Sequence, residues 1–221
     1  RDFLVSSVYR AVGGAQAIAG VLSQRATELR LDARIRSVQR QDQRVRVAMD
    51  DGSTQDFAAV VFATQANQVL GMLADADTNE RNVLQAVRYE GVRVVMHHDV
   101  RLMPASRADW GPVNYVMSPH HDRPMVSIWV NRLLPGYADA RPVFQTINPL
   151  QEPAPDQVLQ DCQLQRPTVS LATQANLLRL EGLHAQTGRR VFFCGSYAAQ
   201  GIPLLESAVA SAQRVATALN G

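Results

Sequence analysis

The chain has 221 residues, 46% of them hydrophobic, and a formal charge of +2 at neutral pH. This supplies enough apolar material for one domain with a proper core, or for two interlocked subdomains. Because the sequence contains no lysine and its arginines are scattered among acids, it predicts no nucleic-acid-binding surface. No apolar run reaches the length of a membrane helix and no secretory leader is visible, so we expect a soluble chain without stable membrane insertion.

The two cysteines, Cys162 and Cys194, are far apart and lie in different contexts. They indicate buried thiols in a reducing cytoplasm rather than a disulfide framework or a metal site. The sequence begins Arg1-Asp2-Phe3 and continues at once into apolar residues, which we interpret as part of a longer or processed protein. Nothing in the sequence predicts an oligomeric state.

The first third of the chain predicts a helix followed by a three-stranded meander. A glycine pair, Gly13-Gly14, precedes apolar residues at steps of three and four, which is typical of an amphipathic helix. Alternating residues separated by short turns then predict three strands. The next strand is apolar on both faces, as in a covered parallel sheet. The predicted bounds are 15–29 for the helix, 31–38, 44–47 and 54–57 for the meander, 59–63 for the covered strand and 66–73 for a second helix.

The middle of the chain predicts a short helix and then an antiparallel sheet. Asp77 or Thr78 is a suitable cap for a helix over residues 77–88. Strand-like runs separated by turn-rich pieces follow. Residues 158–164 fit a strand or a helical turn, and residues 169–180 are weakly helical. The strand-like runs are 92–98, 113–117, 125–131 and 143–147.

The last thirty residues predict a buried strand, a loop and a helix. The strand covers residues 190–195 and stops at Gly195, and Pro203 fits the first position of the following helix. The free amides after Pro203 and the helix dipole form a receptor for an anionic group. An ordinary βα unit at the end of an α/β domain explains the same pattern. The helix has an apolar stripe at Leu205, Ala208, Val209, Ala212, Val215, Ala216 and Leu219.

Four segments carry a resemblance to a known family. Residues 11–16 are similar to a glycine pair that opens a helix, and residues 33–38 are similar to a strand that passes the adenine. Residues 59–64 are similar to the strand after the meander, and residues 193–208 are similar to a closing flavin segment. In this order the chain resembles the C-terminal two-thirds of an FAD-dependent amine-oxidase-like oxidoreductase. That superfamily also holds protoporphyrinogen oxidase and carotenoid desaturases, and the loop at residues 148–150 resembles its bacterial branch of predicted NAD/FAD-binding proteins.

The resemblance implies a mixed α/β fold, with a partial Rossmann-type FAD-binding domain and a substrate domain built on an antiparallel sheet. The FAD-binding part would comprise residues 13–73 and 189–221, including the β-meander, and the substrate domain residues 74–188. The backbone of Val38 would meet the adenine, Gly195 would admit the ribityl and phosphate region, and the amides at 202–205 would face the flavin pyrimidine edge. The implied FAD contacts are Gly14, Val38, Thr64, Gly195, Ser196, Gly201, Ile202 and Leu204.

The sequence departs from the family pattern in three places. Many relatives have an acid after the glycine equivalent to Gly195, whereas this chain has Ser196-Tyr197. Amine oxidases place a lysine near flavin N5, and this chain has none, so classical amine oxidation is in doubt. The G-x-G-x-x-G pyrophosphate loop is also missing. The chain alone is therefore expected to hold FAD poorly or not at all, and to be inactive on its own.

Side chains outside the flavin segments suggest other sites. Tyr115 and Trp129 lie on the predicted antiparallel sheet and either contact the substrate or fill the core. The pairs His97-His98 and His120-His121 are not expected to chelate a metal, because neighbours on a strand point to opposite faces. Ser196 lacks the G-x-S-x-G context of a hydrolase, and Cys194 is expected to pack as a small buried residue rather than act in redox chemistry.

The predicted function is hydride transfer from an unidentified small-molecule substrate to flavin, with FAD as cofactor. The alternatives are a flavin-dependent desaturase or isomerase acting on a lipid-like substrate, and a non-catalytic scaffold domain of the same fold.

Overall fold

A computed structural model describes residues 11–120, 123–134, 136–138 and 140–220 of the chain. Its first sheet is the predicted meander, in which three strands pair antiparallel in chain order. Asp42 and Gly52, both with positive φ, occupy the two tight turns between these strands. Helix α1 (Gly14–Ser23) precedes the sheet and ends six residues earlier than the sequence predicts. The strands are β1 (Ile35–Gln41), β2 (Arg44–Met49) and β3 (Thr54–Phe57).

The second sheet joins two segments that are far apart in the chain. β4 (Val60–Phe62) and β10 (Val191–Phe193) pair in parallel and in register. All three residues of β10 are buried, but Val61 of β4 is 39% exposed, so β4 is covered on one face only. Helices α2 (Ala66–Met72) and α3 (Thr78–Gln85) follow β4.

The main core lies between the meander, this parallel pair and the helices beside them. It includes Val38 and Val45 of the meander, Val69 of α2, Leu84 of α3 and Phe193 of β10. Helix α3 begins with the predicted cap: Asp77 accepts a hydrogen bond from the Glu80 amide, and the Glu80 carboxylate accepts one from the Asp77 amide. This reciprocal pairing satisfies two amides at the start of the helix.

A buried ion network ties α3 to the two neighbouring sheets. The Glu80 carboxylate is fully buried and pairs with Arg40 at the end of β1 and with Arg189 just before β10. The distance from Arg189 Nη2 to Glu80 Oε1 is 2.6 Å, and only 4% of the Arg189 side chain is exposed. Arg40 also pairs with Asp75. Such a network fixes the meander and β10 in relation to α3.

The third sheet confirms the predicted antiparallel region. Its strand order is β6-β7-β8-β5-β9. The residues that fitted a strand or a helical turn form β9, an edge strand, and the weakly helical segment after it forms α5. A short helix, α4, follows β7. The bounds are β5 (Tyr89–His97), β6 (Val113–Val116), β7 (Met125–Trp129), α4 (Val130–Leu133), β8 (Phe144–Ile147), β9 (Val158–Pro167) and α5 (Leu171–His184).

The terminal helix, α6 (Leu205–Asn220), differs from the prediction in two respects. It begins at Leu205, two residues after Pro203, so Pro203 lies before the helix and not at its first position. Its buried side is formed by Ser207, Ser211 and Val215, each one helical turn from the next. The sequence gives the correct helical period, but most of the predicted apolar stripe faces outward: Leu205, Val209 and Leu219 are 70%, 44% and 43% exposed.

The architecture is thus the mixed α/β fold that the sequence predicts, with an antiparallel sheet separate from the parallel pair. Within the described part of the chain, no helix has the length and apolar character to cross a membrane. The division into residues 13–73 with 189–221 and residues 74–188 stays a prediction.

Candidate functional site

A cavity of about 470 Å³ lies between the meander and β4. Its wall runs along one face of the meander and continues past the carboxyl end of β4 to Ala63 and Thr64. In α/β folds, ligands bind outside the carboxyl ends of parallel strands, and a cavity of this size is typical of a small-molecule site. The apolar part of the wall is formed by Ala33, Ile35, Val38, Val47, Met49, Phe57, Ala59, Val60, Val61, Phe62, Ala63 and Met72.

Val38 lines this cavity, and its predicted contact with an adenine stays a prediction; one lone pair of its carbonyl oxygen is already used within the protein. The residue is 2% exposed, and its carbonyl oxygen accepts a hydrogen bond from the Ala74 amide at 2.9 Å. The nearby Ile35 is half-buried and lies where the pairing of β1 with β2 is irregular. Ile35 is therefore the more exposed of the two β1 residues that line the cavity.

The mouth of the cavity carries an ion pair. Arg30 Nε donates to Glu28 Oε1 at 2.5 Å, and both side chains are about half exposed. Both residues line the cavity, together with the polar side chains of Gln55 and Thr64. The cavity therefore combines an apolar wall with a few polar groups at its edge, the usual composition of a cofactor pocket.

Gly195 lies at the carboxyl end of β10, directly beside the end of β4. Its φ of 147° is rare for residues with a side chain. A Cβ at this position would lie 3.0 Å from Cε1 of Tyr197 and 3.8 Å from the Thr64 carbonyl oxygen. The structure thus brings Gly195 and Thr64 together, and packing of the Tyr197 ring explains why this position requires glycine.

Ser211 of α6 holds the backbone of Gly195 from the other side. The Gly195 amide donates to Ser211 Oγ at 2.9 Å, and Ser211 Oγ lies 3.0 Å from the Gly195 carbonyl oxygen. Ser196 follows in a short 3₁₀ turn. These contacts fix the end of β10 against the terminal helix.

The predicted flavin-facing segment, residues 201–205, is open to solvent. Ile202, Leu204 and Leu205 are 66%, 58% and 70% exposed, and Gly201 has a φ of 95°. Within the part of the chain that the structure describes, no layer of side chains therefore covers this segment. The Leu204 amide donates to the Ile202 carbonyl at 2.7 Å, so it is engaged within the loop and is not one of the free amides that the sequence predicts.

Gly14 and the two aromatic candidates are not brought to the cavity. Gly14 begins α1, a helix without buried residues. Tyr115 and Trp129 lie on opposite faces of the antiparallel sheet, because Tyr115 pairs with Val126 whereas Trp129 alternates with it along β7. The two side chains therefore cannot line one cavity.

The two faces of this sheet have different surroundings. Trp129 packs edge-on against Trp110 at 5.3 Å on the covered face, and its buried indole nitrogen has no hydrogen-bond partner among the described residues. Tyr115 is 70% exposed on the other face. Two cross-strand rows on that face contain apolar residues and two glutamines but no charged side chain: Tyr115, Val126, Ile147, Val94 and Cys162, and then Val113, Ile128, Gln145, Met96 and Gln160.

The covered face contains a polar network that the sequence did not reveal. His97 Nε2 lies 2.7 Å from Thr146 Oγ1, which lies 2.8 Å from Ser127 Oγ, and all three side chains are fully buried. His97 Nδ1 accepts from the Asp99 amide, so Nε2 carries the proton of a neutral ring. Burial lowers the pKa of His97, although the Asp99 carboxylate opposes this shift. Alternation gives the side of each strand on which these residues lie, but the pairing of β5, β7 and β8 is needed to place them on one face.

The sequence predicts no metal site at the histidine pairs and no redox role for Cys194. His98 bonds to the Pro142 carbonyl, a different partner from that of His97. No group of metal-ligating side chains occurs among the residues that the structure describes. His121 lies outside the described residues. Burial raises the pKa of the Cys194 thiol, which favours the unreactive protonated form.

Ile35, Phe57 and Met49 are cavity residues that sequence reasoning missed. They lie on the meander, of which only Val38 was predicted to contact the cofactor. Their positions follow from strand pairing: Ile35 lies opposite Met49, and Phe57 opposite Val45.

The sequence of the chain is similar to a known protein family. The sequence model of the family "Flavin containing amine oxidoreductase" matches residues 3–97. This confirms the resemblance, and it confirms flavin as the cofactor of the family to which the sequence points. No curated protein matches the chain.

Solved structures share the fold at low sequence identity. A CLA-producing fatty acid isomerase from P. acnes is 15% identical with a TM-score of 0.62, over 94% of this chain and 52% of that one. A redesigned putrescine oxidase is 12% identical with a TM-score of 0.59, over 94% of this chain and 53% of that one. A second variant of putrescine oxidase, also 12% identical, has a TM-score of 0.62. The chain therefore spans about half the length of these proteins.

Proposed function

We propose, from the match of residues 3–97 to the flavin-containing amine oxidoreductases and from the cavity beside it, that this chain is the flavin- and substrate-contacting part of an FAD-dependent oxidoreductase. The observation that carries the proposal is the position of the 470 Å³ cavity, which reaches the carboxyl end of β4 where Thr64 and Gly195 lie side by side. A dinucleotide that filled the cavity would continue past this glycine.

The residues present fit an adenosine group. The cavity walls are mainly apolar and suit a flat ring, while Glu28, Arg30 and Thr64 supply polar contacts at the edge. Ile35 would contact the ring beside Val38, because it is the more exposed of the two β1 residues that line the cavity. Gly195, Ser196 and the open segment 201–205 would hold the rest of the cofactor.

Flavin, when bound, accepts a hydride from the substrate and passes the electrons to a second acceptor. The role of the chain is to position the reactants and to shape the electrostatics around them. The N-terminus of α6 would favour the negative charge of the reduced ring, a dipole effect of about 0.3–1 kcal/mol at an exposed site. The phosphate grip would come from outside this chain, because no G-x-G-x-x-G sequence is present.

Ligand binding tests the proposal. Adenosine and FAD should bind the chain weakly but saturably at millimolar concentrations, as followed by NMR shifts of cavity residues or by flavin fluorescence. Val61→Arg places a charged side chain in the cavity wall and should abolish binding. Val209→Arg is a matched control, because Val209 on α6 is 44% exposed and Val61 is 39% exposed.

Two results would contradict this proposal. If a folded chain does not respond to adenosine, the cavity is not an adenosine site and the scaffold alternative is favoured. If Val61→Arg and Val209→Arg bind equally well, the ligand lies elsewhere.

A lipid-like substrate is the second candidate, because two uncharged rows of the exposed sheet face favour it over an amine. The acid on the same face, Glu90, is paired with Arg123 at 3.1 Å. The two rows that contain Tyr115 and Ile128 offer an apolar surface, with no acid to hold an ammonium group. The chain also lacks lysine. One structural neighbour is described as a fatty acid isomerase and another as a putrescine oxidase. With the full-length, FAD-loaded protein, anaerobic bleaching of the flavin absorbance by an unsaturated fatty acid and not by putrescine would support the lipid-like substrate. Bleaching by putrescine and not by the fatty acid would contradict it.

A further inference from the structure

A small cavity of about 20 Å³ lies behind the loop that follows β10. One side of it is formed by Ser196, Tyr197, Gly201 and Pro203, and another by Thr173 and Asn176 of α5. The remaining wall comes from residues 86–87 and 167–169. The cavity therefore lies where the loop, the start of α5 and the entry to β5 meet.

Two of its lining residues carry buried polar atoms that have no partner in the described part of the chain. One is Oδ1 of Asn176 and the other is the hydroxyl of Tyr197. Asn176 is 9% exposed and Tyr197 is 7% exposed. The amide nitrogen of Asn176 donates to the Val83 carbonyl at 3.0 Å, which fixes the orientation of its side chain.

Such atoms are rarely left unpaired in proteins. More than about 90% of buried polar groups have a hydrogen-bond partner, and an unpaired one is costly. Asn176 Oδ1 can only accept, whereas the Tyr197 hydroxyl can donate and accept. Burial raises the pKa of Tyr197, so this group stays protonated. A partner for both must therefore donate to the amide oxygen and pair with a hydroxyl.

We propose that the cavity binds one ordered water molecule, which bridges Asn176 Oδ1 and the Tyr197 hydroxyl. A cavity of roughly 10–15 Å³ is the least that accommodates a water, and buried waters use two to four polar partners. The Thr173 and Ser196 side chains at the wall can supply further hydrogen bonds. The bridge would connect α5 to the loop of residues 196–203, making Asn176 and Tyr197 positioning residues for that loop. It does not depend on whether the protein binds flavin.

A crystal structure of the protein at a resolution that places waters tests the bridge directly. It should show a density peak within hydrogen-bonding distance of Asn176 Oδ1 and of the Tyr197 hydroxyl. Absence of a peak at this position would overturn the proposal.

The sign of a stability change provides a second test. If the hydroxyl pairs with water, Tyr197→Phe should lower the folding equilibrium constant about five- to tenfold, the usual effect of losing one hydrogen bond. Tyr89→Phe is a matched control, since the Tyr89 hydroxyl accepts from the Ala66 amide at 2.8 Å and should show a similar loss. Tyr115→Phe, at an exposed site, should change little. If Tyr197→Phe is as stable as the natural protein or more stable, its hydroxyl has no partner and no water is bound.

A double-mutant cycle separates a shared water from two independent effects. Asn176→Ala and Tyr197→Phe should be non-additive, because either change alone disrupts the bridge. Hydrogen exchange in residues 196–203 should become faster in both single variants and should not increase further in the double variant. Additive losses of stability would exclude a common water.

Discussion

Removal of the Glu80 carboxylate should destabilise the fold more than loss of any surface ion pair. Glu80 is fully buried and Arg189 is 4% exposed, so Glu80→Ala leaves a buried guanidinium without its counter-ion. Breaking a buried pair in this way costs about 3–5 kcal/mol. Arg40 keeps its ion pair with Asp75 and its side chain is 30% exposed, so it can move toward water. The loss of its contact with Glu80 therefore adds little to the loss of stability. Loss of the reciprocal bond to the Asp77 amide contributes about 0.5–1 kcal/mol more.

Urea unfolding followed by circular dichroism measures this loss, with Glu152→Ala as the matched control. Glu152 pairs with Arg93 but is 74% exposed, and a surface pair contributes about 0–1 kcal/mol. If Glu80→Ala does not fold, the double variant Glu80→Met with Arg189→Met removes both charges and should recover most of the stability. The reasoning fails if Glu80→Ala and Glu152→Ala lose similar free energy, or if the double variant is less stable than Glu80→Ala.

Three further predictions concern the parallel pair and its surroundings. Burial, with the charges of Arg189 and Arg214, lowers the pKa of His184 to about 4. The stability that depends on neutral His184 is therefore fully present above about pH 6.5 and is lost as the pH falls toward 4. In His184→Gln, the urea midpoint should depend less on pH over this range. Phe193→Ala, at a fully buried site, should cost about 3–5 kcal/mol, whereas Phe57→Ala, 37% exposed, should cost clearly less in the same assay. Ser211→Ala should leave the Gly195 amide unpaired and lower the free energy of unfolding by about 1–3 kcal/mol. Hydrogen exchange of that amide should become faster. Unchanged exchange would show that the contact is unimportant.

Local sequence patterns were sufficient for most helices and strands, but not for burial. The turns at Asp42 and Gly52 and the cap at Asp77 depend on neighbouring residues only, and all are observed. The helical period of α6 could also be predicted from local sequence, but tertiary packing determines which side of the helix is buried. The structure buries Ser207 and Ser211, because hydroxyls can bond to the loop backbone where larger apolar side chains would not fit so closely.

The part of the candidate site that lies at the ends of the parallel strands was predictable from the sequence. Thr64 and Gly195 could be paired in advance, since the carboxyl ends of parallel strands lie at the same edge of a sheet. The hydrogen bond from the Ala74 amide to the Val38 carbonyl could not be predicted. Ala74 follows helix α2, and the sequence does not show where this helix packs. Pairing register also decided that Tyr115 and Trp129 lie on opposite faces, and a pairing register is not apparent from either strand alone.

The loop at residues 195–203, which we propose to hold the cofactor, is positioned by hydrogen bonds from α6 and by the small cavity that it shares with α5. Ser211 of α6 holds both backbone groups of Gly195, and Ser207 donates to the Ile202 carbonyl at 2.7 Å. On the other side, Asn176 of α5 lines the small cavity behind the same loop. Because Gly195 also adjoins Thr64 at the end of β4, a displacement of either helix would reach the wall of the larger cavity. The geometry offered to a flavin is therefore determined by α5 and α6 as well as by the residues that would touch it.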